Sequence, residues 1–180
     1  MPFSDFEHSI VSADLKAVAR HWDAARGGRR MPAWADIRPS AIAKQLPIIW
    51  SYSYDAVADE FVGRLAGEAI ARIFGRAIRG VKLSELTSII RHDLLVARLK
   101  RVMQEPALVS GYGALFTQDE HYGLGERIIM PLAADGQNGD AILGATEYRT
   151  RGYIASEASQ LRESEQWFSL SEGRCLLTRS

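Results

Sequence analysis

Cysteine is almost missing from this sequence: Cys175 stands alone in 180 residues. It cannot close a disulfide within the chain, and it suits a reducing compartment. Long apolar runs are missing too, since none approaches the roughly 20 residues that span a bilayer. The start, Met1-Pro2-Phe3-Ser4-Asp5-Phe6-Glu7, lacks the basic-then-apolar order of a secretory signal, so the expected localisation is cytoplasmic. There is no net charge: 22 Lys and Arg balance 22 Asp and Glu. No global field therefore draws the chain to nucleic acid or to an anionic membrane, and neither is an expected partner. Metal-ligand spacing is also absent, with His8, His21 and His121 scattered and no nucleophile beside them.

What is present is a globular composition, 47% apolar and 24% charged, long enough for one core and too short for two ordinary domains. Ser12 precedes a segment with Asp14 in its first turn, then Leu15, Val18, Trp22 and Ala25 at helical spacing and a Gly27-Gly28 stop. That pattern predicts an amphipathic helix over 13–26. Its apolar stripe needs cover, either from the chain's own sheet or from a second copy in a homodimer. Prolines at 32, 39 and 47 break the following stretch into a packed connector.

Ile48 to Tyr54 and Phe61 to Ala66 read as a hairpin. Glu68 to Phe74 reads as a short helix ended by Gly75, and Gly80 leads to a turn around Leu83 and Leu86. A longer helix runs through Ile90, Leu94, Leu95, Leu99, Val102 and Met103 until Pro106. Ala107 to Phe116, Tyr122 to Leu132 and Asp140 to Tyr148 follow as strands, with Asp135-Gly136-Gln137-Asn138-Gly139 as one of the loops between them. Consecutive hairpins around a helical middle predict an α+β fold with a five-stranded antiparallel sheet and helices over one face. After Arg149 the chain turns polar, and Ile154, Ala158, Leu161 and the Trp167-Phe168 pair suggest a helix or ordered arm. The expected organisation is an N-terminal helical extension at 1–31, a core domain at 32–149 and a C-terminal arm at 150–180.

The order of these elements resembles that of PAS domains, in particular the compact stand-alone PAS proteins of alphaproteobacteria. The residues that carry the resemblance are Gly27-Gly28-Arg29-Arg30-Met31-Pro32, Asp36-Ile37, Pro39, Ile42 and Leu46-Pro47. They continue with Phe61, Arg64-Leu65-Ala66-Gly67, Phe74-Gly75, Gly80, Leu83, Leu86, Glu105-Pro106, Ile129-Met130-Pro131-Leu132 and Asp135-Gly136. Gly63 departs from the pattern, which favours an aromatic residue there. The resemblance implies a pocket between the sheet and the central helices. Strand alternation then puts Tyr52, Phe61, Leu65, Tyr112, Ala114, Phe116, Ile128, Met130, Ala145 and Glu147 near it, with Leu95 and Leu99 opposite.

Four residues are read as structural. Gly67, Gly75 and Gly80 lie where the chain turns sharply. Arg64, in a strand, needs an acidic partner if it is buried, with Asp36, Glu85 and Asp93 as candidates, and an internal ion pair is favoured over ligand recognition. The reactive cysteine of flavin-binding relatives has no counterpart on a central helix, and His92, the position for a haem ligand, reads as solvent-facing beside Arg91 and Asp93. No cofactor is expected. Gly111-Tyr112-Gly113 and Gly123-Leu124-Gly125 lack the strand-to-helix context of a phosphate loop. The cluster from Arg26 to Arg30 fits a helix C-terminus. Asp93, Glu126 and Glu147 supply carboxylates whose separation the sequence leaves open, and no residue is assigned a catalytic role.

The leading reading is a sensory or regulatory module, not an enzyme, that binds a small apolar or amphipathic ligand or a regulatory protein and signals in trans. Two alternatives stay open: an adaptor with a filled core that works only through its surfaces, and a small isomerase or dehydratase on a cone-shaped α+β fold.

Overall fold

A computed structural model describes residues 2–86, 89–116, 121–154, 164–171 and 175–179. Among them one antiparallel sheet is flanked on both faces by helices. Strands β1 (Ile49–Asp55), β2 (Glu60–Ala66), β3 (Ala107–Phe116), β4 (His121–Leu132) and β5 (Ala141–Ile154) are the five expected from the sequence. Two more, β6 (Ser164–Ser169) and β7 (Cys175–Arg179), extend the sheet, whose order is β2-β1-β5-β4-β3-β6-β7. The segment around Trp167-Phe168, read as a helix or arm, is therefore strand. Ala158 and Leu161 lie outside the described residues. The strand assignment is physically sensible: alternation sends Trp167 towards one core cluster and Phe168 into the other, so the pair serves both faces at once.

The outer face of the sheet is closed by α1 (Pro2–Ser9) and α2 (Ala13–Arg26). Helix α2 starts as expected, with Ser12 Oγ accepting the Leu15 N–H at 3.2 Å. Its stripe is fully buried within the chain: Leu15, Val18 and Trp22 are each 0% exposed. They pack with Ile49, Leu108, Ile128, Met130, Leu132, Leu143 and Ala145 of the sheet. Trp22 also donates Nε1–H to the Pro131 carbonyl at 2.9 Å, which satisfies the one polar atom of a buried indole. The stripe is thus occupied by the chain's own sheet, and a homodimer through it would first have to undock the helix. Helix α1 adds Phe6 to the same cluster, and Ile10, just after the helix, joins it. The helix was absent from the sequence reading, although Phe3, Phe6 and Ile10 carry a helical spacing.

The joint between α1 and α2 is fixed by a buried carboxylate. Glu126, on β4, accepts the backbone N–H groups of Val11 at 2.6 Å and Ser12 at 2.8 Å, while the Ser9 and Ser110 hydroxyls meet at 2.7 Å. Charge-assisted bonds of this kind are among the stronger ones in a protein. They lock the N-terminal arm to the sheet at the end opposite Trp22.

Helix α3 (Glu68–Phe74) packs on the connector at Pro39–Ile48, with Ile70 and Ile73 buried, while the inner face is covered by a 3-10 turn at Leu83–Glu85 and by α4 (Ile89–Gln104). Tyr52, Phe61, Ile78, Leu83, Leu99, Val102, Met103, Val109, Ile129 and Ile142 form its core. The α+β fold with helices over one face and an N-terminal amphipathic helix is thus present as expected, with α1 and α2 packed on the opposite face of the sheet.

The structural glycines fall at tight places. Gly67 opens α3, and a Cβ there would lie 1.9 Å from the Leu46 carbonyl oxygen. Gly75 and Gly80 have φ of 65° and 76°, the left-handed region that disfavours other residues.

Arg64 corrects the sequence reading. It is exposed, and its guanidinium stacks over the Trp34 ring at 4.7 Å. The register explains why: Tyr52 pairs with Gly63 and Ser51 with Leu65, so Arg64 is the extra residue of a β-bulge and turns out of the strand. Two of its expected partners are engaged elsewhere. Asp36 binds Arg29 at 2.6 Å and the Ala33 N–H at 2.8 Å, and these hold its carboxyl below the usual aspartate range, the backbone bond first. Glu85 accepts the Lys82 N–H at 3.1 Å.

Candidate functional site

The inner face is ordered in rows that run across the strands. In the first, Tyr52, Ile142 and Pro131 lie side by side. In the second are Trp50, Gly144, Ile129, Val109 and Trp167. Thr146, Arg127, Gly111 and Glu165 make the third, and Tyr148, Gly125 and Gly113 the fourth. The face therefore grades from apolar, through charged, to a pair of glycines beside Tyr148.

Helix α4 covers this gradient unevenly. Its C-terminal half is close-packed on the apolar rows, where Leu99, Val102 and Met103 are buried. Tyr52 lies here too, 6% exposed, and burial pushes its phenol well above the ordinary tyrosine range, so it stays neutral. The Trp50 ring lies across Gly144, where any Cβ would fall 2.2 Å from it, and donates Nε1–H to Thr146 Oγ1 at 2.9 Å.

At the third row the packing becomes polar. Glu165 Oε1 sits 3.4 Å from Arg98 on α4 and 3.6 Å from Arg127 on β4, with both guanidiniums mostly covered. Arg101 lies over the Trp167 ring at 4.5 Å. These contacts tie one flank of α4 to β6. The other flank is tied to the β1–β2 hairpin. Asp59, with φ 53°, binds Lys100 Nζ at 2.5 Å and accepts a bond from the Tyr54 hydroxyl. Lys100, then Tyr54, holds the Asp59 carboxyl below its usual range.

Of the residues expected at a pocket, Tyr52, Phe61, Leu95 and Leu99 meet on this inner face. Leu65, Ile128, Met130 and Ala145 lie in or against the outer cluster instead. Tyr112 and Glu147 flank Glu126 in the strand register and so share that outer side, Tyr112 being 42% exposed. Two physical causes account for the difference. The bulge at Arg64 reverses alternation between Phe61 and Leu65. On β3 to β5 both faces are buried, so apolar residues run continuously and alternation alone cannot tell one face from the other. The side chains of Ala114, Phe116 and His92 lie outside the described residues.

The sequence reading missed Trp50, Thr146, Arg98, Arg127 and Glu165 as a group. Arg127 carried the readable signal, being a lone cation before the apolar run Ile128-Ile129-Met130. The others come together only through the sheet register. Of the carboxylates left open, Glu126 and Glu147 are direct cross-strand neighbours, but on the outer face. Among the described residues no group of three His, Cys, Asp or Glu side chains is placed to hold a metal. No helix among them is long and apolar enough to cross a membrane.

No curated protein matches the chain. A family model described as "PAS domain" matches residues 10–147. That span runs from the end of the N-terminal arm's first helix to the charged rows of the central strands, well over half of the sequence, and it holds the hairpin, the inner helices and the meander in order. The chain belongs to the PAS domain family.

Proposed function

We propose that this PAS domain senses a small amphipathic molecule held between α4 and the inner face of the sheet, and passes the change in α4 to a regulatory protein in trans. PAS domains are sensory or interaction modules. The observation that supports a ligand is the gradient across the inner face, where apolar rows under Leu95 and Leu99 give way within two strand positions to Thr146, Arg127 and Glu165 and then to the Gly113–Gly125 pair. A molecule with an apolar body and a polar end matches that order. Its polar end would compete for the bonds among Arg98, Arg127 and Glu165, and so act directly on the position of α4.

Signal transfer follows from the two ties on α4. Binding that moves Arg98 pulls on the same helix that Lys100 joins to the hairpin. No step in this account breaks or forms a covalent bond.

Native mass spectrometry of the purified protein tests it. A bound molecule of discrete mass, lost on denaturation and retained poorly by Arg127→Met, supports the reading. A bare polypeptide mass under conditions that preserve the fold favours the filled-core adaptor, for which the close packing of Phe61, Leu99, Val102 and Ile142 is the supporting observation.

A further inference from the structure

Strand β2 forms one edge of the sheet, and a loop lies along it. The Gly63 N–H donates to the Val81 carbonyl at 2.9 Å, Gly63 O accepts the Gly80 N–H at 2.7 Å, and Val62 bridges to Lys82. Gly63 makes this approach feasible, since a Cβ there would stand 2.0 Å from the Ile78 carbonyl oxygen. The loop brings cations with it. Arg64, Arg72, Arg76, Arg79 and Lys82 are all exposed. Against these five, residues 64–85 hold two carboxylates, Glu68 and Glu85. Glu68 is paired with Arg72 and Glu85 with the Lys82 backbone. Among the described residues Arg76, Arg79 and Lys82 have no carboxylate partner.

Because the whole chain balances 22 cations with 22 anions, this edge is basic while the rest of the molecule is acidic by three. We propose that the Arg64–Lys82 edge is a docking surface for a short acidic segment of a partner protein. Three features select that partner. The cations ride on a short loop that turns at Ile78–Val81, where the Val81 N–H meets the Ile78 carbonyl at 3.0 Å, so the patch is compact and matches a short segment. The excess of cations is local, since the remaining residues sum to three more acids than bases, and this favours a short acidic segment over a long polyanion such as a nucleic acid duplex or an anionic bilayer. The backbone groups of Gly63 are already bonded to the loop, so recognition there falls to side-chain charge rather than to strand addition. This surface lies at the sheet edge, apart from the charged row under α4, and stands whether or not a ligand occupies that row.

The test uses the full chain and a fluorescent twelve-residue oligoglutamate peptide, with a 20-base-pair DNA duplex and phosphatidylglycerol vesicles as parallel probes. Saturable peptide binding is expected, weakening at least tenfold between low and moderate salt. It should weaken at least tenfold again in Arg76→Glu/Arg79→Glu, whose melting temperature stays within error of the parent because neither side chain is paired. Lys44→Glu, an exposed cation elsewhere, should bind like the parent. The proposal is overturned by absent peptide binding, by equal binding to the double variant, or by tighter binding to duplex or vesicles than to peptide.

Discussion

The two faces of the sheet are both buried, yet they are built differently. On the outer face a continuous apolar cluster runs from Phe6 to Phe168, and the buried polar groups within it are bonded: Trp22 to Pro131, Glu126 to Val11 and Ser12. On the inner face the apolar cluster ends part-way, and beyond it α4 is held by charge: the largely covered Arg98–Glu165 pair on one flank and the Lys100–Asp59 pair, with Asp59 at the surface, on the other. Close-packed apolar contact has one good arrangement, whereas a helix tied by partly exposed charges has several of similar energy. The outer face thus acts as a fixed floor, and the inner face is the part suited to respond.

The difference is tested most severely at Trp22. Trp22→Ala should cost about 3–5 kcal/mol, as for large buried aromatics, read as a large fall in melting temperature. Survival of the fold with little change would mean that the outer face is not the floor described. Glu126→Gln keeps the size but removes the charge from two backbone bonds, and about 1–3 kcal/mol is expected. Hydrogen exchange should then rise in α1 and at the α1–α2 joint, with α4 unaffected; a rise in α4 instead would blur the two faces.

Arg64→Ala should cost only about 0.5–1 kcal/mol, the range of an exposed cation–aromatic stack. A loss of several kcal/mol would restore the buried ion pair that the sequence suggested. The smallest effect concerns acid. Asp59 has its folded-state pKa lowered, chiefly by Lys100, so its contribution is present above the ordinary aspartate value of about 3.9 and fades as pH falls through the lower folded value. Exchange in the C-terminal half of α4 should quicken in that acid window, and Lys100→Met should remove the pH dependence while leaving α2 unchanged.

How far the sequence could be read divides by the range of the signal rather than by face. Helix α2, its Ser12 cap, the first hairpin and the meander were legible, because each rests on local signals: a cap, a period, a turn. The elements around Gly67, Gly75 and Gly80 were legible for the same reason. The face of each strand was not. Leu65 was displaced by a bulge, and Ile128 and Met130 lie in strands apolar on both sides, where period two carries no direction. Strand β6 was missed because six residues after a polar stretch form a strand only when β3 offers an edge. The charged row is the furthest from local information, since Arg98, Arg127 and Glu165 meet across α4, β4 and β6.

Hydrogen exchange on the protein as purified, and again after unfolding and refolding to strip the ligand proposed above, tests the central claim directly. The account predicts that removal speeds exchange in α4 and leaves α2 protected to the same degree. Unchanged exchange in α4, or equal loosening of α2, would contradict a fixed outer face and a responsive inner one.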